Sequence, residues 1–206
     1  MKKLFLLFAA LLLSNMLVMG QNSKVSCNVT AGINMSNWTG SNSSGLDAKL
    51  GFKVGAGMEY AFNNTWAIQH ALFLTTKGTK YSETIEGASA DVTVNEIYLE
   101  LPVNLQARMP IADKMNFLIA AGPYIAYGIG GKTKTKVTVE NLGGSFDTNT
   151  FGNGGLKRFD AGVGLGVSLE INKIILGIDG QLGLLKLDDG DAPKNINFSA
   201  TIGYKF

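Results

Sequence analysis

The residues able to do chemistry are few, and the rarest bound the rest. His70 is the only histidine, so it is the first candidate for a general base. A lipase-type site would need a serine within its reach and a carboxylate to orient it. Alternation puts His70 on an apolar stripe with Trp66, Ile68, Leu72 and Leu74. The neighbouring apolar stripe offers no serine and these stripes carry no acid, so the nucleophile–base–acid set cannot be assembled. No catalytic residue is expected, and the chain is read as a non-enzyme. Cys27 is the only cysteine, which excludes an internal disulfide and argues against a thiolate metal centre. Lys24-Val25-Ser26 before it does not suit lipid attachment, so it is read as a strand residue on an apolar face. Gly162-x-Gly164-x-Gly166 lies inside an alternating segment with no helix after it, which is the wrong context for a nucleotide loop. No cofactor or metal site is expected.

Ten charges fall on polar stripes between apolar residues. Glu59, Arg108, Glu170 and Lys205 belong near one end of the strands, and Lys53, Lys77, Glu96 and Asp160 near the other. Each group holds two acids and two bases. Enclosed charges are costly unless paired, so the expectation is two internal ion-pair clusters. Glu100 and Asp179 fall near mid-height, without an obvious base.

The elements that position these residues are strands. Period-two alternation recurs from Val25 to Phe206 and means strand. In the last segment Ile196, Phe198, Ala200, Ile202, Tyr204 and Phe206 share one face, with Asn197, Ser199, Thr201, Gly203 and Lys205 on the other. Seven more such segments precede it, starting at about Val25, Phe52, Thr65, Glu96, Met115, Arg158 and Lys173. The joins alternate in length: Asn63-Asn64, Pro110 to Lys114 and Asn172-Lys173 are tight. Thr39 to Lys49, Thr79 to Asp91, Gly131 to about Lys157 and Leu187 to Pro193 are long and polar. A spanning strand needs ~9–11 residues, and outer-membrane barrels pair short periplasmic turns with long outer loops. Aromatics gather at strand ends, with Phe62, Trp66, Phe117, Tyr204 and Phe206 near the short turns and Phe52, Tyr127 and Phe159 near the long loops. The fold class expected is all-β: an eight-stranded antiparallel up-and-down transmembrane β-barrel with both termini periplasmic. A lumen that narrow is filled by side chains; Gly55, Gly57, Gly162, Gly164, Gly166, Gly177 and Gly203 face it, which weighs against a wide pore.

The amino terminus has the order of a secretory signal, with Lys2 and Lys3, an apolar run from Leu4 to Leu13 and a tail from Met16 to Met19. Cleavage is expected after Gly20, dividing the chain into a signal peptide over 1–20 and a barrel domain over 21–206. Removing Lys2 and Lys3 from the 18 basic residues leaves 16 against 16 acidic ones. A neutral chain has no field to attract nucleic acid.

Short stretches along nearly the whole of this layout resemble the PorT-like outer-membrane β-barrel family of Bacteroidota, close to OmpX-type barrels. They are Gly32-Ile33-Asn34-Met35-Ser36, Ile68-Gln69 through Lys77-Gly78, and Tyr98-Leu99-Glu100-Leu101-Pro102. Gly122-Pro123-Tyr124, Phe159-Asp160-Ala161-Gly162 and Gly203-Tyr204-Lys205-Phe206 complete the set. Where the family commonly has Pro-Glu in its third strand, this chain has His70-Ala71. The resemblance implies an insertion signal at Phe206, read by the barrel-insertion machinery. It also permits membership of an envelope or secretion complex.

The segment from Gly131 to Lys157 opens with Lys132-Thr133-Lys134-Thr135-Lys136-Val137-Thr138-Val139, which suggests strands continuing above the membrane as a ribbon. Its lysines could meet anionic lipopolysaccharide or simply be solvated. The leading function is therefore a non-enzymatic outer-membrane component, embedded in outer-membrane lipid, whose outer loops contact surface ligands or a complex. Competing readings are a membrane-embedded lipid- or peptide-modifying enzyme, a small-solute channel, and a soluble lipocalin-type barrel, which would need the faces reversed.

Overall fold

The structure is a computed structural model that describes residues 24–206 except 42, 86, 140, 141 and 153. The signal segment expected over 1–20 lies outside the described residues. Ten strands follow one another: β1 Val25–Thr39, β2 Leu46–Ala61, β3 Trp66–Ile85, β4 Ala88–Ala112 and β5 Met115–Gly130, then β6 Lys132–Val139, β7 Leu142–Asn149, β8 Phe159–Ile171, β9 Ile174–Gly183 and β10 Lys194–Lys205. Each of β1 to β4 pairs antiparallel with the next in sequence. β5 then pairs with β8, β8 with β9 and β9 with β10. β10 returns to β1, with Ala31 opposite Ile202. Eight strands thus form a closed antiparallel ring, which leaves no edge to be capped.

The expected count of eight holds for the ring but misses β6 and β7, a hairpin outside it. β6 pairs with the first residues of β4, from Ala88–Val139 to Val94–Thr133, and β7 pairs with β6. The join expected from Thr79 to Asp91 is also not a loop. β3 and β4 are 20 and 25 residues long and stay paired as far as Ile85–Ala88, well beyond the ~9–11 residues a spanning strand needs. Threonines, valines and alanines carry both strands past the rim, and β-branched residues favour extended backbone. At the short-turn end, β4 runs on to Ala112, so the turn is Asp113-Lys114, not Pro110 to Lys114. β8 begins at Phe159 and β9 at Ile174, each one residue after its expected start. Two of the three tight turns use a left-handed residue, Lys114 and Asn172, each at φ 54°.

Because side chains alternate across a strand, the ring sorts the sequence into two surfaces. The outward one is apolar: Ile33, Leu50, Leu165, Ile178, Phe198 and Ile202 are all more than half exposed. The inward one is polar, and Lys77, Glu96, Glu100 and Asp160 are each 0% exposed. This is the reverse of a soluble barrel.

Candidate functional site

The enclosed charges form two layers. At the short-turn end, Arg108 Nη2 lies 2.6 Å from Glu59 Oε1 and 3.2 Å from Glu170 Oε2. Lys205 Nζ joins the same two oxygens at 3.3 and 2.9 Å. Four strands each contribute one charge. Gln106 and Asn116 donate to the remaining carboxylate oxygens at 2.7 and 2.9 Å.

The second layer differs from the sequence expectation. Glu100 and Asp179 both have bases: Lys77 Nζ lies 2.8 Å from Glu100 Oε2, and Lys53 Nζ lies 2.6 Å from Asp179 Oδ1 and 3.9 Å from Glu100 Oε1. Lys77 also sits 3.7 Å from Asp160 Oδ2. The carboxylate without a base is Glu96, which no basic group among the described residues approaches within 4.0 Å. It accepts instead from Trp38 Nε1 at 2.8 Å. A lysine side chain is long enough to leave its own height, and counting positions along strands does not capture that. Aromatic faces complete the layer, with Lys77 Nζ 4.4 Å from the Tyr124 ring centre and Lys53 Nζ 4.6 Å from that of Phe73, both attractive cation–π distances.

Above this layer the long-loop mouth is capped by groups that sequence reasoning missed. Phe151, from the segment after β7, is buried and packs edge-on against Tyr98 at 5.3 Å. A Cβ on Gly128 would lie 2.5 Å from the Phe151 ring, so glycine there is what gives the ring its seat. Leu187 is also buried, and its carbonyl accepts from Lys157 N at 2.8 Å. An aromatic inside a polar loop was the one available signal.

Between the two layers lies a cavity of about 110 Å³, lined by polar groups and glycines together with apolar residues such as Phe73 and Leu118. His70 is exposed on the outer surface, Cys27 lies in β1 opposite Met58, and Gly162, Gly164 and Gly166 lie within β8. Phe206 follows β10, its N–H donating to the Cys27 carbonyl at 2.9 Å.

Beyond the mouth, β3, β4, β6 and β7 form a sheet with two different faces. Val92, Ala90, Val137, Val139, Phe146 and Leu142 share one, on the side continuous with the lumen. Lys132, Lys134 and Lys136 share the other with Asp91 and Asp147.

A closed ring with an apolar exterior and a charged, filled interior is the construction of a membrane-spanning β-barrel, since backbone groups in lipid must all be paired within the protein. Residues 19–189 match the family described as outer membrane protein beta-barrel domain. That is well over half the chain, and the chain belongs to this family and is an integral outer-membrane barrel. No curated protein matches it. Solved structures similar to it include Ail of Yersinia pestis, 16% identical over 89% of this chain and 99% of that one, with a TM-score of 0.42. Neisserial surface protein A is 13% identical over 88% and 99%, TM-score 0.46. OprG of Pseudomonas aeruginosa is 11% identical over 88% and 95%, TM-score 0.45.

Proposed function

We propose that this protein is a sealed, non-enzymatic barrel whose working part is the sheet it raises beyond the membrane. The carrying observation is the contrast between the two halves of the molecule. The lumen is closed by two ion-pair layers and a cap, while β6, β7 and the far ends of β3 and β4 present an apolar face and a lysine face to the outside. A rigid scaffold holding an irregular, exposed element is how recognition surfaces are commonly built. The partners are surface ligands or other members of an envelope complex. In this reading the short turns and both termini are periplasmic, residues 1–20 are removed on export, Phe206 serves as the insertion signal and the protein is akin to the PorT-like proteins of Bacteroidota. The polar stripes inside the barrel act as its internal staples.

Gentle-detergent purification from the native membrane tests this, comparing the parent with a variant in which residues 132–149 are replaced by a short turn. The expected result is a companion that travels with the parent and is lost with the variant, both barrels remaining folded. A parent that purifies alone, or a companion indifferent to the ribbon, contradicts the proposal.

A further inference from the structure

Two residues of the sequence motifs have no part in that reading: Pro102 of β4 and Pro123 of β5. Neither has an N–H to give to a ladder, and proline belongs at sheet edges and bulges. A closed barrel in lipid has neither water nor a spare strand outside to compensate. The β3–β4 pairing includes Phe73–Glu100 and His70–Val103 but nothing between them. The unchanged register sets Ala71 opposite Pro102 there. The β4–β5 pairing includes Pro102–Tyr124 and Leu105–Ala121, again with nothing between, and Val103 stands opposite Pro123. The two interruptions adjoin each other across β4. A side chain on Gly122 would collide with the Val103 carbonyl oxygen, so the strands are close there without being laddered.

The cavity of about 110 Å³ lies against this stretch of wall, with Ala71, Pro102, Asn104 and Gly122 in its lining. From the opposite wall come Gln181, which is 6% exposed, and Asp179. Gln181 Oε1 and Asp179 Oδ2 have no hydrogen-bond partner among the described residues. Both atoms are acceptors. Missing donors thus recur on both sides of one cavity.

We propose that this cavity is a built water site, holding a small cluster that donates to Gln181 Oε1, to Asp179 Oδ2 and to the Ala71 carbonyl that Pro102 leaves without a donor. One water needs roughly 10–15 Å³ of such space and two to four polar partners, so several waters fit. Water inside the barrel takes the place of the ladder bonds that the two prolines remove. The Ala71 carbonyl is then bonded to water, while the neighbouring pairs Ala56–Leu72 and Gln69–Asn104 keep their ladder.

Magnetisation transfer from water to amides, measured by NMR on the whole barrel in lipid nanodiscs, tests this. The expected result is transfer to the Ala71 N–H, beside the carbonyl that the water reaches, and to the Gln181 side-chain amide. No transfer is expected to Val167 or Leu176, which lie in the continuous β8–β9 ladder. Gly164→Leu points a side chain into the cavity from a position whose Cβ would meet nothing closer than 3.5 Å, and those signals should be lost in it. A parent without water transfer at these two sites overturns the proposal whether or not the variant folds. Signals that persist in a folded Gly164→Leu barrel also overturn it, because the water is then elsewhere.

Discussion

Lys77→Met removes one ammonium from the most enclosed part of the lumen and keeps the aliphatic stem. Its effect can be worked from the geometry. Lys77 is 0% exposed, as are Glu100 and Asp160, which it approaches at 2.8 and 3.7 Å. Without it, Asp160 has no base within 4.0 Å among the described residues, and Glu100 keeps only Lys53 at 3.9 Å. Breaking a buried pair by removing one partner costs about 3–5 kcal/mol, since a charge is left uncompensated. An exposed pair is worth about 0–1 kcal/mol. Two carboxylates are stranded here, so the expected loss is at least about 3 kcal/mol. Reversible urea unfolding in lipid vesicles, followed by tryptophan fluorescence, measures it. Adding Glu100→Gln removes one stranded charge, and the Gln181 side chain, which donates to Glu100 Oε1 at 2.7 Å, still finds an oxygen there. The double variant should therefore recover about 0.5–3 kcal/mol of coupling. A loss below about 1 kcal/mol for Lys77→Met, the range of a surface pair, would refute the claim that Lys77 and its carboxylates are locked together away from bulk solvent.

Arg108→Met should cost less than Lys77→Met in the same assay, because Lys205 stays within 3.3 Å of both Glu59 and Glu170; an equal or larger loss contradicts the comparison. Ile178→Arg, on the outward stripe of β9, should destabilise by about 2–4 kcal/mol if it lies near the bilayer midplane, whereas Phe146→Arg in β7 should leave barrel unfolding unchanged. Gly128→Leu should drive Phe151 from its seat and loosen the segment after it, so that trypsin cuts faster at Arg158; an unchanged digestion rate would show that the cap does not depend on that seat. Lys157 lies 2.6 Å from Asp189 and holds its carboxyl below the usual range, yet both are solvated, so Lys157→Ala should give an unfolding curve that overlays the parent's.

The ring was legible in the sequence because a barrel wall obeys one local rule: each strand alternates, and every residue from Ile196 to Phe206 declares its face. The alternation of short and long joins gave the order of the strands for the same reason. Where the rule is not local, reading fell short. Thr79 to Asp91 reads as a polar loop because neither of its faces meets lipid, although Thr79, Tyr81, Thr84 and Ile85 are good strand formers. The ion pairs went wrong at mid-height, where the reach of Lys53 and Lys77 decides the partner and strand position does not. The Phe151 and Leu187 cap depends on loops folding back into the mouth, which no periodicity records.

Everything rests on which stripe meets lipid. In a Cys27→Ser background, single cysteines placed in turn along residues 196–204 and spin-labelled in bilayers report collision with dissolved oxygen, which concentrates in hydrocarbon, and with a water-soluble nickel chelate. Oxygen accessibility should rise at 198, 200 and 202 and fall at 197, 199 and 201, with the chelate reaching none of the six. High oxygen accessibility at 197, 199 and 201, or no two-residue period at all, would contradict the account.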